Sequence, residues 1–259
     1  MAVKNTFRFF VEPATLRNDL VRLEDPALAH QLSRVLRLNP GDQILLLDGL
    51  GTAYTLELTA LSRKEVVGHI LAHEPATGEP DLHLTIYLPL MRAERFEWAL
   101  QKCVELGASR FVPVLCARSL ASERADERKH ERWQRIVREA AEQSCRGLLP
   151  AIERPQTFAS ACAQVNQASL ALLLAEFDGM PLLRTLLRTY LTTTGNPNLT
   201  SLALFSGPEG GLTPDELTTA VDHGIMPVSL GPRILRAETA PVAATAALLY
   251  ELDNRSAVA

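Results

Sequence analysis

The stretch LALFSGPEGGLTPDEL, Leu202–Leu217, changes its grammar twice within a few residues. An apolar run with strand character gives way to Gly207-Pro208-Glu209-Gly210-Gly211. A helix start follows that is signalled three times over: Thr213 as N-cap, Pro214 at the first helical position and Glu216 closing a T-x-x-E capping box. Strand, loop and helix in that order are the unit of an α/β fold. Three glycines in the loop exceed what a tight turn needs, and the surplus lets backbone approach a ligand closely and leaves amides free to bind it. A simple turn is the alternative reading.

The same alternation runs through the second half of the chain. The apolar runs LHLTIYLPL, RFVPVL, SLALLLAEF, LTSLALFSG and MPVSL are each followed by a helix-like segment, so a mostly parallel sheet is expected. RAERFEWALQKCVELG ends on Gly107, and DERKHERWQRIVREAAEQSCRG places Trp133, Ile136, Val137, Ala140 and Ser144 on one face before Gly147. Ligands in such sheets bind beyond the carboxyl ends of strands, so the loops there carry the interest. A second unusual loop, LGPRILRAETA from Leu230 to Ala240, also follows a strand and precedes the alanine-rich run PVAATAALLYEL. Turn and cap requirements explain Gly231, Pro232 and Thr239. They do not explain Arg233, Arg236 and Glu238. The arginines either bring charge to a pocket shared with the glycine loop, suited to a nucleic-acid phosphate or base edge, or form ion pairs with Glu238 or Glu209 that lock the loops.

From residue 1 to about 73 the pattern is different. Short alternating runs such as DQILLLDGLG and TAYTLELTAL, separated by turn signals, describe a small β-barrel interrupted by one helical stretch, ALAHQLSRVLRL, and the turn NPGD. Arg34 and Arg37 fall three apart on the expected helix, either on a solvated face or facing a phosphate. HEPATGEPD, His73–Asp81, is rich in proline, glycine and charge and reads as a linker. The expected division is therefore 1–73, a linker at 74–81, and an α/β domain over 82–259. LLLDGLGTA, Leu45–Ala53, superficially resembles a Gly-rich nucleotide turn, but TAYTLEL continues it as a strand, so Asp48 and Gly49 mark a hairpin.

The bulk numbers narrow the function classes. A net charge of -4 excludes a generic nucleic-acid coat, so any RNA site must be a local patch. No apolar run approaches the roughly 18 residues of a membrane span, and the first residues lack a signal-peptide pattern, which points to the cytoplasm. The four cysteines, Cys103, Cys116, Cys145 and Cys162, are too widely spaced for CxxC chemistry and read as small buried hydrophobes. There is no P-loop and no HExxH, and His69 and His73 share a strand rather than a helix, so no metal site is expected.

Taken together, RFFV at Arg8–Val11, His30 followed by VLRL at Val35–Leu38 and Gly41-Asp42, K-x-x-ELG at Lys102–Gly107, Arg118-Ser119, RW-x-x-I-x-x-EA-x-EQS-x-R at Arg132–Arg146, GPEGG and LGPRILRAETA resemble, in order and over nearly the whole chain, the ribosomal RNA small-subunit methyltransferase E family of knotted SPOUT methyltransferases. Two positions depart from the family pattern: Ala117 where a glutamate is expected, and Ala237 where threonine is frequent. The resemblance implies a PUA-like N-terminal barrel and a C-terminal trefoil-knotted α/β domain, in which the second loop is tucked through the region of the first. It also implies S-adenosyl-L-methionine as methyl donor, N3 of one uridine in small-subunit ribosomal RNA near the decoding centre as acceptor, action on an assembled or nearly assembled subunit, and a homodimer.

Under that resemblance the arginines acquire roles. Methylation at N3 requires loss of the N3 proton, and guanidinium suits the resulting negative charge, which assigns Arg236 and then Arg233 to the uracil or its phosphate and Glu238 to orienting an arginine or relaying the proton. Leu174, Gly207, Glu209, Gly210, Gly211, Leu230, Gly231, Ile234 and Leu235 are expected to cradle the cofactor. Arg8, Arg34, Arg37, Lys102, Arg118, Gln143 and Arg146 are candidate RNA contacts, with capping and surface roles as the alternative for the last four. Phe9, Phe10 and Tyr54 either stack on bases or belong to a core. Two other function classes stay open: a non-catalytic RNA-binding assembly factor with a vestigial pocket, which the intact glycines and arginines disfavour, and a nucleotide-using enzyme, which the missing P-loop disfavours.

Overall fold

The computed structural model describes residues 7–119, 126–165, 170–177, 179–194 and 199–252. The chain divides into two compact units, Met1–Glu79 with Ala141–Leu149, and Pro80–Ala140 with Pro150–Ala259.

In the first unit, strands β1 (Arg8–Phe10), β2 (Leu20–Leu23), β3 (Gln43–Leu47), β4 (Thr52–Leu61) and β5 (Val66–Pro75) form one curled sheet in the order β1-β3-β4-β5-β2. Only β1 and β3 run parallel; the remaining neighbours are antiparallel. Alternate residues Ile44, Leu46, Leu56, Leu58 and Val66 turn inward and are covered by Leu28 and Leu32. Phe9 and Phe10 are both buried, which settles them as core, and Tyr54 packs at the core's edge beside the His73 ring. The hairpin at Asp48 forms as expected: its Oδ1 accepts from the N–H of Leu50 and Thr52 before β4 begins.

Four expectations in this unit are corrected. The helical stretch is short: α1 (Pro26–His30), capped by Asp25, widens into a π-helical turn over Gln31–Val35. Arg37 lies beyond it with φ of 56°, so it does not share a helix face with Arg34. The stretch read as linker begins later, because β5 runs to Pro75. Cys145 is exposed, whereas the other three cysteines are buried.

In the second unit, β6 (His83–Pro89), β7 (Arg110–Leu115), β8 (Ala151–Ile152), β10 (Leu170–Leu174), β11 (Ser201–Phe205) and β12 (Met226–Val228) make a parallel sheet ordered β12-β10-β11-β6-β7-β8, with β9 (Gln156–Thr157) also pairing with β7. The continuous apolar runs follow from burial on both faces. The helices are α2 (Ala93–Leu106), α3 (Glu127–Gln143), α4 (Phe158–Ala163), α5 (Leu183–Thr194), α6 (Pro214–Asp222) and α7 (Thr239–Leu252). The short elements β8, β9 and α4 have too few residues to show a period in sequence. Gly107 caps α2 with φ of 114°, but α3 ends at Gln143, earlier than Gly147, and the chain turns at Cys145 with φ of 62°.

One core on this sheet joins Tyr87, Val112, Phe158, Cys162, Leu173 and Phe205, with Tyr87 and Phe205 stacked at 3.9 Å between ring centroids. Beyond the strand ends the chain clasps itself. Ala175 N–H donates to Val228, Ser229 N–H to Pro181, and Leu183 N–H to Ser229, so the segment leaving β12 is hydrogen-bonded across the segment leaving β10. From there α7 returns to pack on α2, with Thr245 Oγ1 3.7 Å from Cys103 Sγ.

Candidate active site

The glycine loop and the arginine loop open onto one cavity of about 550 Å³ in the second unit, at the carboxyl ends of β10, β11 and β12. Its walls come from Leu174–Phe177, from Gly207–Glu209 with Gly211 and Leu212, and from Val228–Gly231 with Arg233–Ala237. The volume lies within the range of roughly 300–1,000 Å³ usual for small-molecule sites. Local chemistry sets each wall. Thr213 Oγ1 accepts from Glu216 N–H at 3.2 Å while Glu216 Oε2 accepts from Thr213 N–H at 2.9 Å, so the capping box fixes where the glycine loop ends. Glu216 is itself buried, and its Oε1 accepts from Ala117 N–H at 2.7 Å, tying the loop after β7 to the same helix start.

Two loop glycines sit where an L side chain is strained: Gly211 has φ of 70° and Gly231 φ of 117°. Gly231 N–H donates to Ser229 Oγ at 3.1 Å and its carbonyl accepts from the same hydroxyl at 3.2 Å, which fixes the entry to the arginine loop. At the exit, the N–H groups of Thr239 and Ala240 bond to Arg236 O and begin α7.

The structure brings together most of the residues singled out in sequence. Leu174, Gly207, Glu209, Gly211, Leu230, Gly231, Ile234 and Leu235 line the cavity, together with Arg233 and Arg236, whose side chains are exposed and form no ion pair among the described residues. Arg118 also lines it, with Nη1 donating to Gly210 O at 3.0 Å. Gly210 does not: it backs onto Arg118, where an added Cβ would lie 3.0 Å from Arg118 Cβ. Glu238 is not on the wall either, but buried behind the loop, with Oε1 3.8 Å from Arg95 Nε.

Arg95 itself was missed. It lines the cavity from the first turn of α2 and bonds Glu209 Oε1 through Nη1 at 3.0 Å. So the carboxylates weighed as partners of Arg233 and Arg236 face a different arginine. The available signal was position, since Arg95 follows the end of β6 just as the other two loops follow theirs.

The expected RNA contacts divide. Arg34, Arg37 and Gln143 are exposed. Arg8 is half-buried, with Nη1 3.4 Å from Cys145 O, and Lys102 pairs with Glu105 at 2.7 Å on its own helix. Arg146 is a correction. Its side chain is 2% exposed and paired at 2.6 Å with Glu79, because the left-handed turn at Cys145 directs it inward.

Among the described residues no cluster of His, Cys, Asp and Glu can hold a metal ion, and no helix is long and apolar enough to cross a membrane. Burial pushes the Cys103 thiol up to about 12, with Thr245 opposing weakly, and the Cys162 thiol up to about 12. Neither acts as a nucleophile at neutral pH.

The model of the RNA methyltransferase domain matches residues 78–249, and that of the RNA methyltransferase PUA domain residues 29–71. Ribosomal RNA small subunit methyltransferase E of Synechocystis sp. is 38% identical over 96% of this chain and 78% of its own length; the Bacillus subtilis protein of that name is 30% identical over 86% and 88%. The chain belongs to the ribosomal RNA small subunit methyltransferase E family. The Neisseria gonorrhoeae enzyme of that family, bound to S-adenosyl methionine, superposes with a TM-score of 0.83 at 29% identity, covering 96% of this chain and 99% of that one. A putative methyltransferase of Legionella pneumophila in complex with the same cofactor superposes at 0.84, with 26% identity and 96% and 98% coverage. The family's fold is the knotted SPOUT α/β domain, and in this chain the segments after β10 and β12 are hydrogen-bonded to each other beside the cavity. At the two positions that depart from the family pattern, Ala117 contributes through its backbone N–H and Ala237 lines the cavity.

Proposed function

We propose that this protein transfers a methyl group from S-adenosyl-L-methionine to N3 of one uridine in small-subunit ribosomal RNA near the decoding centre. The reading rests on one observation above all: two loops remote in sequence converge on a single cavity, one presenting glycine backbone and the other two arginines outside any ion pair among the described residues. The Neisseria gonorrhoeae and Legionella pneumophila relatives, both described with this cofactor, support the donor.

The cavity residues fit the donor. Backbone at Gly207, Leu230 and Leu235 offers peptide donors and acceptors to its polar groups, the carbonyls of Gly211 and Gly231 add acceptors, and Leu174, Leu212, Val228 and Ile234 give an apolar wall. When bound, the cofactor supplies an electrophilic methyl on sulfonium. The chain's task is then to prepare the acceptor. Uracil N3 holds a proton at neutral pH, and its loss to solvent water places negative charge on the flanking carbonyl oxygens. Arg236 first, and Arg233 second, meet that charge or the adjoining phosphate. Each charged hydrogen bond contributes about 1.5–3 kcal/mol, more where water is excluded. Holding base and donor in line supplies much of the remaining acceleration. Glu238 acts from behind the loop as a positioning residue.

The first unit, with Arg8, Arg34 and Arg37, holds RNA, aided by Lys102, Arg118 and Gln143. The enzyme acts in the cytoplasm as a homodimer, on the assembled or nearly assembled subunit.

The test is nucleoside mass spectrometry of ribosomal RNA from cells lacking this protein. Loss of one N3-methyluridine from the small subunit, restored by re-expression, is expected. Persistence of every methylated uridine refutes the acceptor assignment.

A further inference from the structure

Arg95 stands where three segments meet. From the first turn of α2 its Nη1 donates to Glu209 of the glycine loop at 3.0 Å, and its Nε lies 3.8 Å from Glu238 behind the arginine loop. The two contacts do unequal work. The glycine loop has independent tethers, since Arg118 Nη1 reaches Gly210 O at 3.0 Å and Leu212 O at 3.4 Å, and the capping box holds its far end. The arginine loop is held at its entry by Ser229 and at its exit by the start of α7. Within that exit turn, Glu238 provides the side-chain tether to Arg95.

Glu238 is 9% exposed, and its Oε2 makes no hydrogen bond among the described residues. Burying a carboxylate that lacks hydrogen-bond partners is costly unless a cation faces it. Among the described residues Arg95 is the cation that pairs with it, and Glu238 lies two residues from Arg236.

We infer that Arg95 is a positioning residue for the acceptor side of the reaction: by holding Glu238 and Glu209 at once, it sets the arginine loop, and with it Arg236, against the glycine loop. The inference rests on the methyl-transfer reading above. It separates the two halves of the cavity, because loss of Arg95 loosens the arginine loop while Arg118 and the capping box still shape the glycine loop.

The test uses full-length wild type, Arg95→Ala, Arg95→Lys, Glu238→Gln and the Arg95→Ala/Glu238→Gln double variant. Calorimetry with S-adenosylmethionine and steady-state methyl transfer to small-subunit RNA are read beside melting temperatures. Arg95→Ala is expected to lower kcat by about tenfold or more with Kd for the cofactor within about threefold of wild type. Glu238→Gln is expected to lose a comparable amount, the double variant no more than the worse single one, and Arg95→Lys to recover part of kcat. Additive losses, a kcat of Arg95→Ala within about twofold of wild type, or a melting temperature that falls in step with activity in every variant overturns the positioning role. A wild type that binds the cofactor and methylates RNA keeps the parent reading intact whichever way the variants fall; a wild type that does neither removes both.

Discussion

Replacing Glu79 by alanine separates two roles for its partner Arg146. Read in sequence, Arg146 is a candidate RNA contact; in the structure it is buried against Glu79. The carboxylate does four things at once. Its Oε2 meets Arg146 Nη2 at 2.6 Å, and its Oε1 lies 3.3 Å from Arg146 Nε while accepting the N–H of Gly147 at 2.9 Å and of Leu148 at 3.0 Å. Truncation leaves a buried guanidinium without this counter-charge and two backbone donors without their acceptor. Breaking a buried pair from one side costs about 3–5 kcal/mol. For a unit of fewer than 100 residues that lowers the melting temperature by roughly 12–40 °C. A solvent-facing RNA contact would change stability by at most about 0.5 kcal/mol. Urea titration followed by circular dichroism, on Glu79→Ala and on Arg146→Ala, reads the difference. If Arg146→Ala unfolds at the wild-type urea concentration while losing RNA affinity, the structural assignment of this arginine is wrong.

Other consequences follow from single observations. Gly231→Ala has open space around the added Cβ but must hold φ of 117°, so a strain of roughly 1–3 kcal/mol is expected to appear as weaker S-adenosylmethionine binding in calorimetry, without a clash. Thr213→Ala removes one partner of the capping box and is expected to cost about 1 kcal/mol in urea unfolding. Of the four cysteines only Cys145 is exposed, so a thiol reagent at neutral pH is expected to modify one site in the native protein, identified by peptide mass spectrometry, and four after unfolding. Because the Cys103 pKa is raised from 9.0 to about 12, its contribution to stability is complete below pH 9 and is lost as pH rises toward 12, which alkaline unfolding of Cys103→Ser checks by its flatter profile.

Much of the second unit was legible because each signal was local. An unbroken apolar run, a glycine loop and a redundant helix cap make β11 and α6 readable from a dozen residues, and the resulting strand ends point to the cavity. What sequence concealed was non-local. The Arg95 contacts join residues more than a hundred positions apart, and no periodicity encodes them. Arg146 looked like a surface arginine because the residue that turns it inward is Cys145 in a left-handed conformation, where glycine or asparagine is the usual signal. Arg37 misled in the same way: VLRL has helical spacing, but the chain leaves the helix one residue earlier. The trefoil crossing came only from the family resemblance, since hydrogen bonds among Pro181, Leu183 and Ser229 leave no mark in either segment alone.

The central claim is that one loop holds the donor while guanidinium on the other prepares the acceptor. Paired measurement on Arg236→Ala tests it most directly: cofactor affinity by calorimetry and methyl transfer to small-subunit RNA in the same preparation. The account predicts an affinity within about threefold of wild type and turnover reduced by about 10- to 150-fold, the equivalent of one charged hydrogen bond. Turnover at the wild-type level with bound cofactor contradicts it.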